Sequence, residues 1–155
     1  VDIFFGDSND QMFSWMSNFY RAPFKIEKEW QTTEHFYQAQ KTGDVEIQER
    51  IRLLRTPYAA KLEGRKIALR PDWETVKESI MLFGLFAKFG QNRDLLERLV
   101  DTKKAILHEN RNDLYWGYAD GEGKDRLGQL LMKVRDSFIA ISEKEKINDI
   151  RFSNY

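Results

Sequence analysis

Apolar residues recur along much of this chain every three or four positions, the period of a helix with one buried face. In the stretch VEIQERIRLLR (45–55), Val45, Ile47, Ile51 and Leu54 keep that period, and Pro57 ends it. PYAAKLEGR follows as a short helix closed by Gly64. From Asp72, read as a cap, to Gly90 the pattern turns apolar on nearly every face after Ile80, which places that helix in the middle of the domain. DLLERLV (94–100) is amphipathic, and 126–141 carries Leu127, Leu130, Leu131, Val134 and Phe138 at core spacing. A shorter helix is expected in TTEHFYQAQKTG (32–43), with Thr33 as its cap and Gly43 as its stop.

Strand signals are few. DIFF (2–5) stops at the turn signal GDSND, and PFKIEKEWQT (23–32) alternates as a hairpin would. AILHE (105–109) reads as a strand and LYWGY (114–118) as a possible second one, before the glycine-bearing loop DGEGKD (120–125). The charged tail 142–155 is expected to be peripheral or disordered. The expectation is one mainly helical α+β domain with a few short strands, spanning 2–141, followed by that tail.

The 155 residues, 41% hydrophobic and 14% aromatic, suffice for a folded core. Twenty-five basic and 25 acidic residues cancel, so no overall field draws the chain to nucleic acid or an anionic membrane; contact with nucleic acid would have to be local. Without cysteine there is no disulfide, thiolate nucleophile or Cys-based zinc site. The first ten residues show no basic region followed by a long apolar one, so no signal peptide is expected among them. The most apolar run, 80–89, is too short to cross a bilayer. These features lead to an expected cytoplasmic location with no membrane partner.

Candidate chemistry narrows from there. The two histidines, His35 and His108, lack ligand spacing, so neither a metal nor a cofactor is expected. The G-x-S-x-G elbow, the Walker loop and a G-x-G-x-x-G after a strand are all missing. Glu34, Gln38 and Lys41 share one helical stripe. Spacing leaves two readings: a solvated face with Glu34 complementing the helix dipole, or the wall of a site. Lys88 interrupts an apolar helix, either snorkelling to the surface or lining a cavity where burial lowers its pKa. In ENRNDLYWGYADGEGKDRLG (109–128), polar residues adjoin Tyr115 and Trp116, a pattern that suits either a surface turn or base stacking. Lys124 and Arg126 flank a helix start that Asp125 can cap, a weak anion-site signal. Lys61, Arg65, Lys66 and Arg70 form a local basic run that is either solvated or a guide for a strand.

FSWMSNFYRAPF, TTEHFYQAQK, AAKLEGR, RPDWETVKESIM, AKFGQN and ENRNDLYWGYADGEGKDRLGQLLMKVR, in this order, resemble the NADAR (YbiA-like) family over nearly the whole chain. The resemblance implies an N-glycosidase. Its substrate would be either a phosphorylated ribosylamino-pyrimidine of early riboflavin synthesis or ADP-ribose attached to guanine. Carried over by motif, the acidic position of T-x-E-H falls on Glu34, the lysine of Q-A-Q-K on Lys41, the tryptophan of D-W on Trp73, and N-D-x-x-W-G on Asp113, Trp116 and Gly117. Asn18, Phe19, Gln38, Arg65, Lys88, Lys124 and Arg126 are the further candidate substrate contacts. The chain departs from the family at Asp125, where asparagine is usual, and in a longer N-terminal loop.

Two mechanisms follow from that resemblance. Glu34 and Asp113 could divide acid and base roles, or Lys41, with Lys88 in reserve, could form a Schiff base while Glu34 shuttles protons. A module that binds ADP-ribose or a nucleotide without cleaving it is the alternative. Oligomeric state is left open.

Overall fold

A computed structural model of the chain describes residues 1–6 and 11–153. Most of the GDSND turn signal, residues 7–10, lies outside the described residues. In chain order the elements are β1 (Asp2–Phe5), a 3-10 turn (Ser14–Met16), β2 (Phe24–Ile26), β3 (Lys28–Trp30), α1 (Thr33–Ala39), α2 (Val45–Arg52), α3 (Pro57–Gly64), α4 (Trp73–Gln91), α5 (Arg93–Asp101), β4 (Ile106–Glu109) and α6 (Arg126–Phe152). The α+β, mainly helical class expected from the pattern is the class observed. The chain forms two compact units, Phe5–Arg93 and Val1–Phe4 with Asp94–Tyr155.

In the unit Phe5–Arg93, β2 and β3 pair antiparallel with Phe24 opposite Trp30, and the chain reverses at Glu27, whose φ of 61° is left-handed. This is the hairpin that the alternation predicts. Phe36 on α1 sits among Phe24, at 5.9 Å between ring centroids, and Trp30, at 5.5 Å, both edge-on. Ala39, Ile51 and Ala60 complete the cluster. Burying a phenylalanine contributes about 1.5–3 kcal/mol, so the cluster fixes α1 between the hairpin and its neighbouring helices. Gly84 lets α4 approach: a Cβ there would lie 2.9 Å from Phe36 Cδ1.

Every residue of α1 is buried, polar ones included, because α2, α3 and α4 all pack against it. Its N-cap is Thr32 rather than Thr33, for it is the Thr32 hydroxyl that accepts from His35 N–H at 3.1 Å. The helix ends at Ala39, before Gly43. At the N-cap position of α4, Asp72 makes no side-chain cap; its carboxylate is drawn instead to Arg70, at 2.6 and 3.1 Å.

In the other unit β1 and β4 form a two-stranded sheet, and α6 packs on β4, where a Cβ at Gly128 would overlap the Leu107 carbonyl. Two expectations are corrected here. LYWGY is a turn and not a strand, because Asp113 Oδ1 accepts from the N–H groups of both Tyr115 and Trp116, closing an Asx turn. The tail is peripheral but helical to Phe152: its Glu- and Lys-rich sequence suits a helix even while residues 142–151 stay exposed. Among the described residues no helix is long and apolar enough to cross a membrane.

Candidate active site

Glu34, Gln38 and Lys41 lie one turn apart on the inner side of α1 and just beyond its end. Glu34 and Gln38 are buried, and Gln38 Nε2 donates to Glu34 Oε1 at 2.7 Å, fixing the carboxylate. Gly64 of α3 leaves the room that Gln38 occupies, since any Cβ there would overlap its amide oxygen. The first turn of α1 is held from outside: Glu34 N–H donates to the carbonyl of Asn18 at 3.1 Å. Asn18 is buried, and its Oδ1 has no hydrogen-bond partner among the described residues.

Lys41 is half-buried. Its carbonyl accepts from Arg70 N–H at 2.8 Å, which ties the residue to the segment leading into α4. There Trp73 is buried with its ring 5.1 Å from that of Tyr37, and the Lys41 amine lies 5.7 Å from the Tyr37 ring and 5.9 Å from Trp73. Burial pushes the Lys41 amine below the ordinary lysine range, the Glu34 carboxylate opposes that shift, and the cations Arg65 and Lys61 add to it. Lys61 Nζ also stands 5.9 Å from the Phe19 ring. The spacing-based stripe is therefore enclosed, with a carboxylate, an amide and an amine backed by two rings and flanked by two further cations.

Lys88 does not snorkel. It is fully buried, its ammonium donates to the carbonyls of Trp15 at 2.8 Å and Ser17 at 2.9 Å, and burial holds its pKa at about 7.

Asp113, Trp116, Gly117, Lys124 and Arg126 belong to the other unit. Asp113 is exposed and bound up in its turn. Trp116 is half-buried, with its ring edge-on to Tyr115 at 4.9 Å, and Lys124 Nζ lies 5.6 Å from the Tyr115 ring. Gly117 has no room for a side chain, because a Cβ would overlap the Arg111 carbonyl. Arg126 bonds Gln129. Asp125 is buried at a left-handed φ of 53° and makes no side-chain cap for α6, contrary to expectation. Its carboxylate accepts from Glu109 N–H at 3.1 Å and contacts His108 Nδ1 at 2.7 Å; burial raises its pKa against those bonds.

Sequence reasoning missed Tyr37 and Gly64. Tyr37 lay next to a flagged residue, and Gly64 was read only as a helix stop.

The NADAR domain model matches residues 4–139. The chain is 43% identical to the N-glycosidase YbiA of Escherichia coli over 138 residues, 86% of this chain and 85% of that one. The solved structure of Escherichia coli YbiA superposes with a TM-score of 0.83 at 42% identity, covering 92% of this chain and 87% of that one. A riboflavin biosynthesis protein of Vibrio vulnificus, VVA0006, is 32% identical over 92% of this chain, which matches 40% of that longer protein. The protein is thus an enzyme of the N-glycosidase class. The chain belongs to the NADAR family.

Proposed function

We propose that this N-glycosidase acts in the cytoplasm on a phosphorylated ribosylamino-pyrimidine, cleaving its N-ribosyl bond through a transient imine between Lys41 and C1′ of the ribose. The observation that carries this reading is the Lys41 amine, half-buried and shifted toward its neutral form, beside the buried Glu34 carboxylate. A neutral amine is the nucleophile the step requires.

The ribosylamine opens at C1′ to an imine, and Lys41 Nζ adds to that carbon. Glu34 takes the proton released by the attacking nitrogen and passes it to the departing amine, and the C1′–N bond to the pyrimidine breaks. Water then hydrolyses the lysine imine, returning Lys41 and free phosphorylated ribose. One water is consumed and one aminopyrimidine is released. Gln38 keeps Glu34 oriented through its 2.7 Å bond. Asn18 Oδ1, a buried acceptor without a partner among the described residues, is suited to a ribose hydroxyl.

Arg65 and Lys61 add two positive charges beside Lys41 against the single carboxylate of Glu34, an excess suited to the phosphate. The tilted pair of Tyr37 and Trp73 offers an aromatic wall. The relatives named for riboflavin biosynthesis, VVA0006 and the maize chloroplast protein PYRR, favour the pyrimidine over a guanine substrate. Asp113 already accepts two main-chain N–H bonds, which favours the lysine route over paired carboxylates.

The test offers the protein a phosphoribosylamino-pyrimidine and, separately, an oligonucleotide bearing ADP-ribosylated guanine, with products read by mass spectrometry. Free aminopyrimidine and ribose phosphate are expected, with E34Q slower by about 10²–10⁴-fold. Release of ADP-ribose from the oligonucleotide alone, or binding without products, overturns the proposal.

A further inference from the structure

Lys88 is fully buried on α4, and among the described residues no carboxylate bonds it. Its ammonium is held by two carbonyl oxygens, of Trp15 and Ser17, with the rings of Tyr20 and Phe89 at 5.8 and 5.2 Å. Burying a lone ammonium is costly, and an apolar side chain of the same length would fill the space more favourably. The position therefore calls for something only the donors supply.

What they hold is the segment that completes α1. The first N–H groups of a helix have no partner within it. On α1, Thr32 caps His35 N–H, and Glu34 N–H is satisfied by Asn18, the residue directly after Ser17. Asn18 also leans on α4 itself, its Nδ2 lying 3.5 Å from Met81 Sδ.

We infer that Lys88 is a positioning residue for the glycosidase reaction: by gripping the carbonyls of Trp15 and Ser17 it sets the Asn18 carbonyl against Glu34 N–H, and so aims the Glu34 carboxylate. The inference rests on the reading above in which Glu34 moves the proton. Lys88 itself touches no substrate in this arrangement, since it has no exposed surface.

The chain has no cysteine, so K88C carries a single thiol that can be alkylated in denaturant and refolded. Bromoethylamine restores a lysine-like ammonium, and iodopropane gives a side chain of the same length without it. The aminoethyl form should turn over like wild type, while the propyl form should lose about 100-fold in kcat, the size of effect a 1 Å misplacement brings. Its KM should stay within about threefold, because a transition-state contact is what is lost. Equal turnover of the two folded forms, or a loss confined to KM, overturns the inference.

E34Q run in parallel separates the two ideas. If E34Q keeps full activity, the reading of Glu34 has failed; if E34Q is inactive while the propyl form is active, only the role of Lys88 has. Should the propyl form not refold, hydrogen exchange on K88Q decides. Protection of Glu34 N–H should drop at least about tenfold while that of Leu85 in the same helix as Lys88 holds. Unchanged protection at Glu34 contradicts the inference.

Discussion

In the proposed mechanism Lys41 attacks only as the neutral amine, so its surroundings would set the pH at which the enzyme works. Burial and the cations Arg65 and Lys61 push its pKa below the ordinary value of 10.5, and Glu34 pulls the other way. Activity should therefore fall on the acid side of that lowered pKa, as Lys41 takes up its proton. The sign of each substitution follows. R65M removes a cause that lowers the pKa, so the acid limb of kcat/KM should move to higher pH; E34Q removes the cause that raises it, so the residual activity should show the limb at lower pH. A limb that stays fixed in R65M would assign the titration to another group. Glu34, Gln38 and Lys41 were legible as a stripe because their spacing alone places them on one face. Whether that face met solvent or a site was not legible, because the answer depends on α3 and α4 folding over it.

At the level of elements, the crossing of α1 and α3 turns on Gly64. Alanine at a helical glycine normally gains about 1 kcal/mol. Here its Cβ would displace the Gln38 amide that orients Glu34. G64A should thus cost activity by about tenfold or more, in the range of a misplaced catalytic group. In a Q38A background, where only a 3.2 Å contact with the Cβ of residue 38 is left of the overlap, G64A should cost little further activity. If G64A lowers activity as much in Q38A as in wild type, Gly64 acts through something other than Gln38.

Five of the six helices among the described residues keep to the segments that the chain's pattern marks, and the β2–β3 hairpin follows its alternation. The misreadings share a cause: a local hydrogen bond or propensity outweighed composition. The aromatic run 114–118 looked like a strand until Asp113 took its N–H groups, and Asp72 looked like a cap until Arg70 took its carboxylate. The charged tail lacked core residues, yet its Glu and Lys content carries α6 on to Phe152.

For the molecule as a whole, 25 basic and 25 acidic residues leave no net charge, so on the proposed reading selection of a phosphorylated substrate would fall to the few cations grouped around Lys41. That grouping was visible in the sequence only as a basic run between Lys61 and Arg70, equally compatible with a solvated face. Family membership, carried by motifs spread over residues 4–139, was legible throughout; the substrate was not, because base, ribose and phosphate are common to both candidates. The covalent route is open to direct measurement on the intact 18.4 kDa chain. Borohydride added during turnover of the phosphoribosylamino-pyrimidine should reduce the imine and leave one ribose phosphate on the protein, on the peptide that contains Lys41. Full turnover with no adduct on any lysine would contradict the imine at Lys41.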